Sequence, residues 1–73
     1  MTRIDPATVT ERRERVGISG VHLAAEIGVA RSTLSRAEAG GIGSQRVILR
    51  AATYLDHIEA AQAAARIALA LLA

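Results

Sequence analysis

The sequence contains no cysteine, no lysine, no tryptophan and no phenylalanine, and its one aromatic residue is a tyrosine. Without cysteine, neither disulfides nor thiolate metal sites can form, and nothing points to an oxidising compartment. The scarcity of aromatic and β-branched runs removes the usual signs of β-strands. We therefore expect an all-α protein located in the cytoplasm.

Signals for secretion or membrane insertion are also lacking. The first ten residues, MTRIDPATVT, have no apolar core, and the longest apolar tract is interrupted by Gln62 and Arg66. A chain of 73 residues fits one domain, residues 1–73, near the lower size limit for a stable single core. We expect close helix packing or a second copy to support this core, and no large enzyme cleft.

The positive charge is unevenly placed. The net charge is only +2, but all nine basic residues are arginine. Residues 31–50 contain four arginines and one acidic residue, whereas residues 51–73 contain one arginine and two acidic residues. Because guanidinium groups suit phosphates and guanine edges, this patch indicates a nucleic acid partner. On charge alone, a solvated helix face explains the pattern equally well.

Two signals mark the start of a first helix. One is Asp5-Pro6, and the other is the box formed by Thr8 and Glu11. The helix is predicted to end near Val16. On a helical wheel Arg13 falls at the rim of its apolar face.

Glycines divide the middle of the chain into two short helices. Ser19 is the predicted cap of the second helix, and Gly28 is its left-handed stop. A third helix is predicted from about Arg31 to Ala39, closed by Gly40-Gly41. A small residue at Ala24 allows the second and third helices to approach closely.

The rest of the chain contains no helix breaker. Ser44 is the predicted cap of a further helix, and no glycine or proline follows it. Residues 44–72 form either one long helix or two helices that meet near Asp56-His57, and we favour the second alternative. The C-terminal helix would then span residues 56–73, giving about five helices.

The third helix has two unlike faces. Its polar face combines arginine and hydroxyl side chains, namely Arg31, Ser32, Ser35 and Arg36, while Leu34 and Ala37 fall opposite. Arginine and serine side chains reach base edges and phosphates, and a helix of this size fits the major groove of DNA. The pattern predicts a helix whose apolar face packs on the domain and whose polar face contacts DNA.

The run GISGVHLAAEIGVARSTLSRAEAGG, residues 17–41, resembles the helix-turn-helix of the Cro and phage-repressor class of transcriptional regulators. The resemblance rests on the joint spacing of Leu23-Ala24, Ile27-Gly28-Val29, the segment 31–36, and Glu38 followed by Gly40. It covers about three quarters of the chain. It implies a compact lambda-repressor-like bundle that binds double-stranded operator DNA as a homodimer, in a bacterial cell or a phage-infected host.

The resemblance also implies roles for individual residues. The base-reading positions are Arg31, Ser32, Ser35 and Arg36. The phosphate contacts are Ser19, the backbone amide of Gly20, Thr33 and Arg46. A family ion pair that orients the third helix falls on Arg13 and Glu38.

Two departures from the family pattern weaken the expected contact with DNA. Gly20 stands where the family commonly has glutamine, so only the backbone amide remains for that contact. The loop GGIG, residues 40–43, lacks the basic residues often found there. We expect Arg46, Arg50 and a second subunit to compensate.

The C-terminal segment is apolar around most of its circumference. Only Glu59, Gln62 and Arg66 form a polar stripe, so the apolar arc is about twice the ~100° typical of a surface helix. Our hypothesis is that one flank packs on the domain and the other on a second copy. The dimerisation residues would be Ile58, Ala65, Leu69 and Leu72; the alternatives are a purely intramolecular role or a hydrophobic end that would normally continue into more protein.

Other functions are less well supported by the sequence. His22 and His57 have no acidic residues at ligand spacing, so we expect no metal and no cofactor. No serine or threonine has an evident catalytic partner, so an enzyme is not expected. Tyr54 is predicted to be a half-buried residue that anchors the fourth helix. The rival functions are an adaptor and an antitoxin, both of which would use the C-terminal helix to bind protein.

Overall fold

The computed structural model describes residues 4–41 and 43–73, which form four α-helices and no strand. The helices are α1 (Pro6–Val16), α2 (Gly20–Ile27), α3 (Arg31–Glu38) and α4 (Gln45–Leu72). The predicted all-α fold is confirmed, although there are four helices rather than about five. Residues 1–3 and Ile42, which is part of the GGIG loop, lie outside the described residues.

The start of α1 depends on Asp5 and Pro6. The Asp5 carboxylate accepts a 3.0 Å hydrogen bond from the backbone N–H of Ala7, and Pro6 takes the first helical position. A proline is favourable there because the missing N–H would have no partner. Thr8 lies inside the helix, so the expected box of Thr8 and Glu11 does not form its cap.

The turn between α2 and α3 follows the sequence prediction. Ser19 Oγ caps α2 by accepting a 3.1 Å hydrogen bond from the N–H of His22. Gly28 ends α2 at φ 74°, a left-handed conformation that glycine adopts without steric cost. The N–H of Val29 then donates to the carbonyl of Ala24 at 3.0 Å. These bonds fix the angle at which α3 leaves α2.

All four helices contribute to one core. Ala24 is only 2% exposed and belongs to this core; that its small side chain lets α2 and α3 approach closely stays a prediction. Val29 and Tyr54 are half-buried against the core, which confirms the anchoring role predicted for Tyr54. The core residues are Val9, Leu23, Ala24, Ile27, Leu34, Ala37, Ile48, Ala51 and Leu55.

The predicted bend in the last helix is wrong, because α4 is one continuous helix of 28 residues. An arginine of α1 holds its middle: Arg12 Nη2 lies 2.5 Å from Asp56 Oδ1 and 2.7 Å from Glu59 Oε1. Since Arg12 contacts α4 at the predicted junction, Asp56-His57, this contact favours a continuous α4 over two helices. Residues 56–73 therefore belong to α4 and do not form a separate helix.

The end of α4 projects away from the domain. The expectation that one flank of the C-terminal segment packs on the domain holds for Ile58 and Glu59, which are half-buried, and is wrong for the residues that follow. All residues of the segment 60–72, which we name the α4 tail, are exposed. Near the start of the tail, Gln62 Nε2 donates a 3.1 Å hydrogen bond to the carbonyl of Val16 at the end of α1. The protein is consequently elongated, measuring 48 × 28 × 17 Å. No helix found in residues 4–41 and 43–73 combines the length and apolar character of a membrane span.

Ser44 does not act as the predicted side-chain cap. It precedes α4 with helical backbone angles, φ −72° and ψ −19°, instead of the extended conformation typical of capping residues. The Ser44 residue is 6% exposed, and its Oγ has no hydrogen-bond partner among the described residues.

Candidate nucleic-acid interface

The outer face of α3 gathers the four predicted base-reading residues. Their side chains are all exposed, whereas Leu34 and Ala37 on the opposite face are 1% and 3% exposed. Burial of this apolar pair fixes the rotation of the helix about its axis. The exposed residues are Arg31, Ser32, Ser35 and Arg36.

The N-terminus of α2 lies beside this face. Gly20 lines one cleft together with Arg31 and Ser35. Free N–H groups and the helix dipole make a helix N-terminus attractive to phosphate. The hydroxyl of Ser19 accepts the capping bond from His22 and still has its own proton to donate. Predicted phosphate and base contacts therefore meet on one side of the molecule.

The remaining predicted phosphate contacts, Thr33 and Arg46, do not line this cleft. Thr33 is half-buried and lines a cleft with Arg36 and the glycines that follow α3. Arg46 is exposed in the first turn of α4. Gly20 and Thr33 thus line two different clefts beside α3.

The structure gives Arg50 a different role from the compensating contact that we expected. Its Nη2 donates a hydrogen bond to the carbonyl of Ile27, the last residue of α2. A guanidinium at this position satisfies a carbonyl that has no partner inside the helix, and it opposes the negative end of the helix dipole. Arg50 therefore stabilises the turn at Gly28 and lines the groove between α2 and α4.

The structure brings Arg13 and Glu38 together. Arg13 Nε lies 2.9 Å from Glu38 Oε1, and the two side chains are 16% and 13% exposed. Arg13 Nη1 also donates to the carbonyl of Ile18 at 3.2 Å. One guanidinium thus links α1 to the last turn of α3 and to the segment that precedes α2.

Sequence reasoning missed the contact of Arg12 with α4. Arg12 donates from Nε and Nη2 to the two carboxylate oxygens of Glu59, at 3.0 and 2.7 Å. These bonds hold the pKa of the Glu59 carboxyl below its ordinary value and raise the pKa of Arg12. Because 47 residues separate the partners, no local sequence signal could have indicated this contact.

The two histidines are exposed and far apart in the sequence. His22 Nε2 lies 3.8 Å from Glu26 Oε1, which is a pair on the surface of α2. In the part of the chain that the structure describes, no group of three or more His, Asp or Glu side chains is placed to hold a metal ion.

The short α2, the glycine turn and the polar front of α3 define a helix-turn-helix DNA-binding domain. A family model described as helix-turn-helix matches residues 9–62, which is most of the chain. The chain belongs to this family of Cro-type helix-turn-helix transcriptional regulators, which bind DNA. No curated protein and no solved structure gives a significant match.

Proposed function

We propose that the protein is a Cro-like repressor that binds a near-palindromic operator through the major groove. The observation that carries this proposal is the exposed polar front of α3, held by the buried Leu34 and Ala37. In this role Arg31 and Arg36 donate to guanine O6 and N7, while Ser32 and Ser35 contact neighbouring bases.

Phosphate contacts would flank the base-reading helix. Ser19 and the N–H of Gly20 would hold one strand at the α2 N-terminus, with Thr33 and Arg46 holding the backbone elsewhere. Such contacts fix the register of the protein on the duplex and contribute affinity without sequence preference. Only Arg46 among these four residues carries a charge, so affinity per monomer is expected to be modest.

A homodimer would supply the missing affinity. Two copies of α3 about one DNA turn apart, roughly 34 Å, would read two half-sites, and the second contact becomes intramolecular. The exposed α4 tail supports this proposal because it includes Ala65, Leu69 and Leu72. Ile58 is half-buried on the domain and offers less surface to a partner.

The α4 tail also favours a second candidate, an antitoxin that binds DNA through α3 and a toxin through the tail. Leu71 and Leu72 are 82% and 83% exposed, and a monomeric protein rarely leaves several large apolar side chains together in water. The antitoxin and the repressor share the same DNA contact and differ in what covers the tail.

Selection of bound sequences from a random DNA pool at physiological salt tests the proposal. We expect one enriched motif with two inverted half-sites whose centres lie about 10 base pairs apart or a multiple of this spacing. A pool that shows no enrichment after repeated rounds would contradict operator recognition. A single unrepeated half-site would contradict the symmetric dimer on DNA.

A further inference from the structure

The side of α4 that faces the core is apolar near the start of the helix and becomes polar in the tail. On a wheel of about 100° per residue, Ile48 and Leu55 lie on the side that faces the core, and Gln62 and Arg66 continue this side beyond the core. The outward side of the tail is apolar. It carries Ala60, Ala64, Ala68 and Leu71.

The same outward side of α4, nearer its start, forms one wall of an open groove of about 440 Å³, with α2 as the other wall. Leu49 is 44% exposed there, and Tyr54 is half-buried. Because the groove is open to solvent and its surface is mostly apolar, an aliphatic side chain of another helix can enter it. The groove is lined by Glu26, Ile27, Leu49, Arg50, Thr53, Tyr54 and His57.

We propose that the tail and the groove are the two halves of one symmetric interface between two copies of this chain. In this interface α4 pairs antiparallel with α4 of the second copy, and the two-fold axis passes near Ala60-Ala61. Each tail then places its Leu71 in the groove of the other copy. The inference rests on the homodimer proposed above and adds its geometry.

The position of the axis follows from the distribution of side chains along α4. Ala60-Ala61 lies midway between Leu49 and Leu72, the first and the last exposed large apolar residues of α4. Alanines at the crossing point let two helices approach to the short end of the usual 8–10 Å range. In this register Thr53 lies level with Ala68 of the second copy, as in the alternating layers of an antiparallel coiled coil.

Charge and length both favour a second copy of this chain as the partner that covers the tail and the groove. Arg66 is the one charged residue of the tail, and it lies on the inward side, so the pairing buries no charge of the tail and opposes no like charges. Pairing of the tails alone would extend over about 20 Å of helix, whereas pairing from Leu49 to Leu72 extends over about 35 Å. Stable interfaces bury about 1,200–2,000 Å² in total, which the longer contact approaches more closely.

Engineered cysteines test the register without DNA, because the chain contains no cysteine of its own. Protein carrying Thr53→Cys is mixed with protein carrying Ala68→Cys under mild oxidation. We expect a disulfide between the two proteins, since a disulfide requires Cα atoms within about 7 Å. The matched control mixes Ala64→Cys with Ala68→Cys, two positions that the proposed register separates by about 16 Å along the axis.

Preferential cross-linking of the control pair would overturn the proposal, because it would mean that only the tails pair. Sedimentation at tens of micromolar gives the second measurement. We expect a dimer whose dissociation constant rises at least tenfold with Leu71→Glu and is unchanged with Ala70→Glu, an exposed position on the inward side next to Arg66. The reverse order of effects, or a monomeric wild-type protein, would also overturn the proposal. DNA selection tests α3 independently of these outcomes.

Discussion

Arg13 Nε donates a 2.9 Å hydrogen bond to Glu38 Oε1 and so joins α1 to the last turn of α3. Both side chains are mostly buried, so the loss of one partner leaves the other without its compensating charge. The pair therefore couples the stability of the domain to the orientation of the helix that we propose reads DNA.

Replacement of this pair is expected to destabilise the fold. Glu38→Ala should lower the free energy of unfolding by about 2–4 kcal/mol, because it leaves the Arg13 guanidinium largely buried and unpaired. The double variant Arg13→Ala/Glu38→Ala should cost less than the sum of the two single variants. Urea unfolding of the wild type, the two single variants and the double variant measures the coupling. Strictly additive effects would show that Arg13 and Glu38 are not coupled.

Gly28 is expected to be intolerant of a side chain. Gly28→Ala should cost about 1–2 kcal/mol, because φ is +74° and the added Cβ would lie 3.4 Å from Arg50 Nη2. Gly20→Ala is the matched control. Its added Cβ would meet nothing within 4 Å, and alanine favours helix, so this variant should be neutral or slightly more stable. Thermal unfolding compares the two, and equal effects would contradict the assigned turn geometry.

The contact of Arg12 with Glu59 predicts a contribution to stability that depends on pH. Since the pKa of folded Glu59 is lowered, the pair stabilises the fold above the ordinary glutamate value of about 4.3, and this contribution is lost as the pH falls through the folded pKa. Glu59→Gln should therefore lower stability by at most about 1 kcal/mol at pH 7, because the glutamate is partly exposed, and by less at pH 3.

Urea unfolding of wild type and Glu59→Gln at both pH values measures this change. Glu11→Gln, at an exposed position of α1, is the control for loss of a surface carboxylate. A deficit of Glu59→Gln that is as large at pH 3 as at pH 7 would show that the ion pair is not its cause.

Ser44→Ala is expected to leave stability unchanged or to raise it slightly. A capping serine would cost about 1 kcal/mol on replacement. Here the buried Oγ has no partner among the described residues, so the variant removes a polar atom whose burial is unfavourable. Chemical denaturation measures the difference. A loss of about 1 kcal/mol in the free energy of unfolding would indicate that Ser44 caps α4, as the sequence predicted.

Local signals made α1, α2 and α3 predictable. Asp5, Ser19 and Gly28 each act on backbone groups within one helical turn, so their effect can be read from neighbouring residues. The alternation of buried and exposed residues in α3 depends only on helical periodicity, and it predicted the exposed front of the site.

The course of α4 was not predictable in the same way. It depends on Arg12, which is 44 residues from Asp56 and 47 residues from Glu59. The bond from Arg50 to Ile27 likewise spans 23 residues. An arginine in a sequence does not indicate which distant carboxylate or carbonyl it will meet, so the straight α4 and the role of Arg50 emerged only from the structure.

The binding of the selected operator by arginine variants shows whether α3 reads the DNA sequence. Arg31→Ala and Arg36→Ala should each weaken specific binding by about 1–3 kcal/mol, or roughly 5- to 150-fold, and relax the preference at one base pair. Arg66→Ala removes the same charge from the α4 tail and should leave the affinity nearly unchanged. If the two α3 variants bound the operator as tightly as wild type, recognition through α3 would be contradicted.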